Sequence, residues 1–318
     1  MSRNEIDYPL LILAPERSFG SLVCAMLGQH PEMYGLLETR LFARNEMHEW
    51  FEDFENGTGS HGLIRSVAEV VFGSQSEPSI REARGWLRNR ANRSTVDVFS
   101  ELAETIYPLV LVERTAMITY RSQHMHRVRR QFHEMRFLHL VLHPALHGHS
   151  LVQYFNEFFQ ARPRGAFKGV SNPESIFCDL IDIRSGEPSF APHRPWHRCH
   201  ASIVKFLANI PKERKRQVRV EDLIRQPEQH LKEIVEWLEL EGGSSAIEEM
   251  MHPEQSSFAM FGPSSARYGA DPRFLSDPKL RFSQDYLKVL RKLAHEEDSA
   301  LKLTPEVEEL VRYFGYDQ

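Results

Sequence analysis

The chain has only three cysteines among its 318 residues, Cys24, Cys178 and Cys199, far apart and odd in number. Such sparse usage excludes a disulfide framework and a four-cysteine zinc site, and a reducing compartment, the cytoplasm, fits it best. No apolar run is long enough for a signal peptide or a bilayer span, and the stretch "MSRNEIDY" that precedes the first apolar residues is polar. An excess of basic charge is missing too, because 39 Lys and Arg stand against 44 Asp and Glu, and the net charge of −5 is spread along the chain. Nucleic acid and acidic membrane surfaces are therefore not the expected partners. There is no internal repeat or clear linker, and nothing in the composition sets an oligomeric state.

With 41% hydrophobic side chains the chain can bury a large core. Three runs rich in Leu, Ile, Val and Phe read as buried strands, near 9–14, 109–113 and 136–143. A fourth, near 217–220, lies in "RQVRVEDLI" and precedes "RQPEQHLKEIVEWLEL", where Pro227 suits a helix start and apolar residues recur at helical spacing. Between the first two strands, about 41–107 is polar and amphipathic, with a "GTGSHG" loop and the arginine-dotted "REARGWLRNRANRS"; it reads as a helical insertion over the substrate side. Strands alternating with helices predict an α/β fold, one P-loop-like domain over 1–318 with a central parallel sheet flanked by helices. The segment "FGPSSARYGADPRFLSDP" reads as a long loop without structure of its own, which is uncommon unless the loop is functional.

The stretch "LLILAPERSFGSLVCAMLGQHPEMYGLLETR", residues 10–40, begins as a strand, breaks at Ala14-Pro15 and resumes as a helix after Gly20-Ser21. A strand that feeds a helix through a small-residue turn gathers free N–H groups and the positive end of the helix dipole at one point, which attracts anions. Arg17, Ser18 and Ser21 add donors that phosphate oxygens accept. The nucleotide-binding pattern GxxxxGK[ST] is not met, since Ser21 stands where its lysine would. The plain alternative is a strand-helix turn with a solvated arginine.

"PERSFGSLVCAMLGQHPE" resembles the phosphosulfate loop of PAPS-dependent sulfotransferases, which reads close to PRSGTT-L. "LLETRLF" resembles the segment where tyrosylprotein and related sulfotransferases carry a catalytic glutamate, here Glu38. "LVERTAMITYRSQHMHRVRRQFHEMRFLHLVLHP" and "QVRVEDLIRQPEQHLKEIVEWLEL" are similar to the blocks that follow in that family, in the same order. The resemblance implies 3′-phosphoadenosine 5′-phosphosulfate (PAPS) as co-substrate, with no metal. It implies that Arg17, Ser18, Phe19, Gly20, Ser21 and Leu22 hold the 5′-phosphosulfate, and that Glu38 is the base. Arg114 stands for a family lysine near the donor, Ser150 for the 3′-phosphate serine, and Arg267, Tyr268 and Gly269 for a late loop over that phosphate. The implied acceptor is a hydroxyl or amine of a small-molecule or carrier-bound substrate.

The chain departs from this pattern at several positions. Leu142 stands where the family has an arginine for the 3′-phosphate, Phe19 replaces a loop glycine, Gly20 a hydroxyl residue, and Val220 a tyrosine. A catalytically impaired, sulfotransferase-like binding protein is therefore a second reading, and a nucleotide-dependent kinase a third, opposed by the missing GK[ST] lysine. Glu38 also reads as the partner of a surface arginine such as Arg40, and Arg114 as an exposed strand-end cation. His139, His143, His147 and His149, and the "HRPWHRCH" cluster at 193–200, invite a metal reading. Their spacing across a strand and a proline predicts packed or solvated histidines instead, either cluster being a source of one histidine for the acceptor pocket.

Overall fold

Leu10–Leu13 forms β1, four apolar residues in a row, each fully buried, as expected of a strand covered on both faces. The structure, a computed structural model, describes residues 8–160, 180–182, 189–281 and 303–316. After β1 come α1 (Gly20–Leu27), β2 (Met33–Gly35), and four helices, α2 (Met47–Phe54), α3 (His61–Phe72), α4 (Glu77–Arg88) and α5 (Thr95–Ile106). Then follow β3 (Val110–Glu113), α6 (Ser122–Gln131), β4 (Arg136–Val141), α7 (Pro144–Gln160) and a small antiparallel pair, β5 (Ile181–Asp182) with β6 (Ser189–Phe190). The chain continues through α8 (His193–Leu207), β7 (Lys215–Arg219), α9 (Val220–Arg225), α10 (Pro227–Trp237), α11 (Ser244–Met250), α12 (Pro272–Ser276) and α13 (Pro305–Tyr313).

The five-stranded sheet is parallel, in the order β2-β3-β1-β4-β7. Leu10 pairs with Val112 and Arg136, and Leu13 with His139, so β1 is central and flanked by β3 and β4. Its side chains alternate between two cores. Leu11 and Leu13 join Leu111, Phe137 and the helical layer of Trp50, Val67, Ile80 and Phe99, while Leu10 and Ile12 join Val112, Leu138, Leu140, Met26 and Ile234. Fully burying one such side chain contributes roughly 1.5–3 kcal/mol, so the two-sided burial of β1 anchors the loop that leaves its carboxyl end. That end lies where the chain passes to opposite sides of the sheet, the place where open α/β sheets bind ligands.

The stretch 41–107 is helical, and three of its four helices, α2, α4 and α5, begin at recognisable caps. Ser76 and Ser94 accept from the backbone N–H groups of Ser79 and Asp97, and Glu46 with Glu49 forms a capping box for α2. Three expectations are corrected. The fourth strand ends at Arg219, and Val220 opens α9 with Glu221 and Asp222 in its first turn, where carboxylates favour the helix dipole. Part of "GTGSHG" is helical, since α3 starts at His61. The late segment contains α12, begun by Pro272 and capped by Asp271, whose carboxylate accepts from Arg273 N at 3.0 Å. Among the described residues no helix is long and apolar enough to cross a membrane.

The late segment is fastened to the helical layer by Arg65 of α3, which is fully buried. Its guanidinium donates to Gln75 Oε1 at 2.7 Å, to Met260 O at 2.9 Å and to Tyr268 O at 3.1 Å, and burial pushes its pKa down to about 10. Glu77 adds bonds to Ser264 and Ser265. Arg65→Met keeps the length but orphans two carbonyls and an amide oxygen, so it is expected to cost about 3 kcal/mol of folding stability. Urea denaturation checks this, and an unchanged midpoint would show that the clamp is not needed.

Candidate active site

Four of the five parallel strands, β1 to β4, each lead at the carboxyl end into one part of the site. The loop after β1 contains two non-glycine residues in the left-handed region, Arg17 at φ 68° and Phe19 at φ 60°. Conformations of this kind cost about 1–3 kcal/mol each and persist only where the surroundings hold them. Here the Phe19 side chain packs against the core on one face of the sheet, and His147 of α7 donates through Nε2 to Glu16 O at 2.9 Å. Phe19 is also the N-cap of α1, and its side chain makes no capping hydrogen bond. The N–H groups of the first turn of α1 therefore face the loop, beside the buried hydroxyl of Ser18, which has no hydrogen-bond partner among the described residues.

Arg17 lies across this loop, buried. Its Nε donates to Ser150 Oγ of α7 at 3.3 Å, its NH1 meets Asp271 Oδ1 at 2.5 Å, and its guanidinium carbon lies 5.1 Å from the centre of the Tyr154 ring. Asp271 also donates its backbone N–H to Ser21 Oγ at 3.2 Å. The late segment thus closes onto both Arg17 and Ser21. Sequence reasoning missed Asp271; the Asp-Pro pair announces a helix start, but not what the carboxylate reaches.

Glu38 and Arg114 come from the ends of β2 and β3. Their side chains are 12% and 6% exposed, so neither is the surface group that the plain reading allowed, and they form an ion pair at 3.4 Å. Glu38 Oε1 also accepts from Ala116 N at 3.2 Å, and Glu38 N donates to Gly269 O at 2.9 Å. Gly20 makes room for Arg114, since a Cβ there would lie 2.5 Å from Arg114 Nε. Glu16, in the loop after β1, feels the charge of both groups. Its carboxyl is pushed above the ordinary carboxylate range by burial first and by the Glu38 charge second, against the pull of Arg40, Arg114 and Arg17.

Arg17, Ser18, Phe19, Gly20, Ser21, Leu22, Glu38, Arg114 and Ser150 are thus gathered at the strand ends. The late loop is brought in differently from expectation. Arg267 is exposed and stacks over Phe261 at 5.1 Å, and Tyr268 stacks on His61, so of this trio Gly269 alone touches Glu38. Leu142 is fully buried in the apolar core and cannot line a phosphate site as its sequence position suggested, because its side chain is packed with the sheet and its carbonyl accepts from Trp196 Nε1. The histidines do not converge. His139 shares a 2.9 Å hydrogen bond with His200, which places the main ring of "HRPWHRCH" inside the core; His143 packs on Tyr316, and His147 holds the β1 loop. Burial pushes His139 down to about 3 and His147 to about 4. Among the described residues no group of three or more His, Cys, Asp or Glu is arranged to hold a metal ion.

No family model and no curated protein matches the chain. Solved structures do. The sulfotransferase domain from the curacin biosynthetic pathway superposes with a TM-score of 0.75 at 21% identity, over 98% of each chain. The sulfotransferase domain from the Synechococcus PCC 7002 olefin synthase superposes with a TM-score of 0.71 at 18% identity, over 100% of this chain and 98% of that one. The chain has the sulfotransferase fold. Both superpositions run almost end to end along the chain.

The carbonyl of Glu38 passes so close to α3 that a Cβ on Gly62 would lie 2.0 Å from it. Gly62→Ala must push the Glu38 segment off its seat and is expected to cost about 1–3 kcal/mol. Gly85, with nothing near its Cβ direction, is the control: Gly85→Ala in mid-helix should stabilise by up to about 1 kcal/mol. Thermal melts of the two variants should move in opposite directions, and equal shifts would contradict the close approach.

Proposed function

We propose that the protein is a sulfotransferase that moves a sulfuryl group from PAPS to a hydroxyl or amine of a small-molecule or carrier-bound acceptor. The observation that carries this reading is the convergence of an uncapped helix start, the buried Ser18 hydroxyl and Arg17 with Glu38 and Arg114 at adjacent strand ends. PAPS supplies the sulfuryl group and a phosphate that leaves. The chain's own residues do the rest. The amides of Phe19 to Leu22, with Ser18, Ser21 and Ser150, bind and orient the donor's anionic groups, as helix starts do. Arg17 and Arg114 offset charge that develops on the leaving oxygen. Glu38, oriented by Ala116 N and Arg114, takes the acceptor's proton at its carboxylate. The two solved neighbours are named as domains of a biosynthetic pathway and of an olefin synthase, which supports an acceptor made during biosynthesis.

The reading of an impaired enzyme has one specific observation in its favour, the Asp271 carboxylate on Arg17, which offsets the charge that a donor would meet. Calorimetry separates the possibilities. Adenosine 3′,5′-bisphosphate should bind and ATP should not; the reverse would favour a kinase. Arg17→Ala should weaken bisphosphate binding and slow transfer together, and a variant with both unchanged would remove Arg17 from the site. Glu38→Gln should lower kcat by roughly 10²–10⁴ with bisphosphate affinity little altered, and a fully active variant would hand the proton to another group.

A further inference from the structure

Behind Glu38 lies a second carboxyl that the mechanism does not use. Glu113, the last residue of β3, is fully buried, and no guanidinium or ammonium group bonds it among the described residues. Its Oε1 accepts from Thr115 Oγ1 at 2.5 Å, from Thr39 Oγ1 at 2.8 Å and from Thr39 N at 3.3 Å. Each threonine hydroxyl, its proton committed to Glu113, turns its lone pairs to the next amide. Thr115 Oγ1 accepts from Arg40 N at 3.1 Å, and Thr39 Oγ1 from Leu41 N at 3.3 Å. Of the four N–H groups of the Glu38–Leu41 turn, Glu38 N goes to Gly269, and the other three end on Glu113 directly or through one hydroxyl.

The turn needs such an anchor, since Arg40 sits at φ 58°, a conformation that only its surroundings can hold. The same network fixes the other side of Glu38. Thr115 immediately precedes Ala116, whose N–H is the donor to Glu38 Oε1. We propose that Glu113 is a positioning residue, whose buried carboxyl ties the Glu38–Leu41 turn to Thr115 and thereby sets the place of the Glu38 carboxylate. The inference rests on the reading of Glu38 as the base.

A neutral amide could fill the space, but not with the same bonds. Glu113 Oε2 is buried without a hydrogen-bond partner among the described residues, so the N–H groups of a glutamine there would find no acceptor. The carboxyl is also poised to titrate, because burial raises it to about 7 against the pull of its threonine partners. The titratable and charged groups facing it are Glu38 across the turn, Arg114 next in the chain and Cys24 of α1, whose thiol burial pushes up to about 12 and keeps neutral. Protonation weakens Oε1 as an acceptor, so as pH falls through about 7 the turn loosens and kcat should fall.

Glu113→Gln, assayed with PAPS and any acceptor that the wild type turns over, tests this. Its kcat should drop by about ten- to a hundredfold with the KM for PAPS within about a factor of two, and the inflection near pH 7 should vanish. Thr115→Val leaves the carboxyl and removes one spoke; it should lower kcat while keeping the inflection, and it serves equally if the glutamine variant does not fold. Wild-type kcat and an unchanged pH profile in either variant would overturn the proposal. Amide hydrogen exchange keeps the two readings apart. If the wild type transfers no sulfuryl group, faster exchange at Thr39 to Leu41 and Ala116 in Glu113→Gln supports the positioning role while the base reading fails, and unchanged exchange overturns the positioning role itself.

Discussion

A guanidinium that is 5% exposed must find partners for its donors inside the protein, and for Arg17 those partners come from distant parts of the chain. Ser150 reaches it from α7, Asp271 from the segment before α12, and Tyr154 covers its face. The loop that carries this guanidinium is left-handed at Arg17 and Phe19, and the packing of Phe19 and the His147 bond to Glu16 O hold that backbone. The late segment that reaches Arg17 is also fixed to the helical layer by Arg65 and Glu77, and Glu38 N donates to Gly269 O midway. The site and the outer layer are thus one mechanical unit.

Sulfotransferase architecture was readable where chemistry and chain order coincide. The buried strands announce themselves as apolar runs because both faces are covered, and Arg17, Glu38 and Arg114 stand within a few residues of strand ends. β2 was not readable, since Met33-Tyr34-Gly35 is three residues long and only Met33 is buried. Asp271 and Glu113 were hidden for a different reason. Asp271 lies 254 positions from Arg17, and Glu113 lies 74 from Thr39, so nothing local marks either pairing. Position 142 shows the converse failure. Spacing placed it correctly along the chain, but whether a side chain faces a core or a cleft is a matter of packing, and Leu142 faces the core.

The departures from the phosphosulfate-loop pattern look less damaging in three dimensions than in one. A glycine would suit the left-handed position that Phe19 occupies, yet the phenyl ring repays part of the strain by packing with the core. Gly20 in place of a hydroxyl residue is matched by Arg114 in place of lysine, because the guanidinium, bulkier and planar, lies where a side chain at residue 20 would be. The two substitutions are complementary in volume, so they are better read as one exchange than as two losses.

Charge balance sets the remaining constraint. Arg17, Arg40 and Arg114 face Glu16, Glu38 and Asp271. Were all three carboxyls ionised, the cluster would be close to neutral and would offer an anionic donor little attraction. Burial and the charge on Glu38 shift Glu16 toward its protonated form, which tilts the cluster positive without an extra cation. An arriving phosphate that displaced the Asp271 carboxylate from Arg17 would tilt it further and would form a charge-assisted bond in its place. An anion arriving at the β1 loop would therefore meet a more positive cluster to the extent that burial and the Glu38 charge favour the neutral form of Glu16.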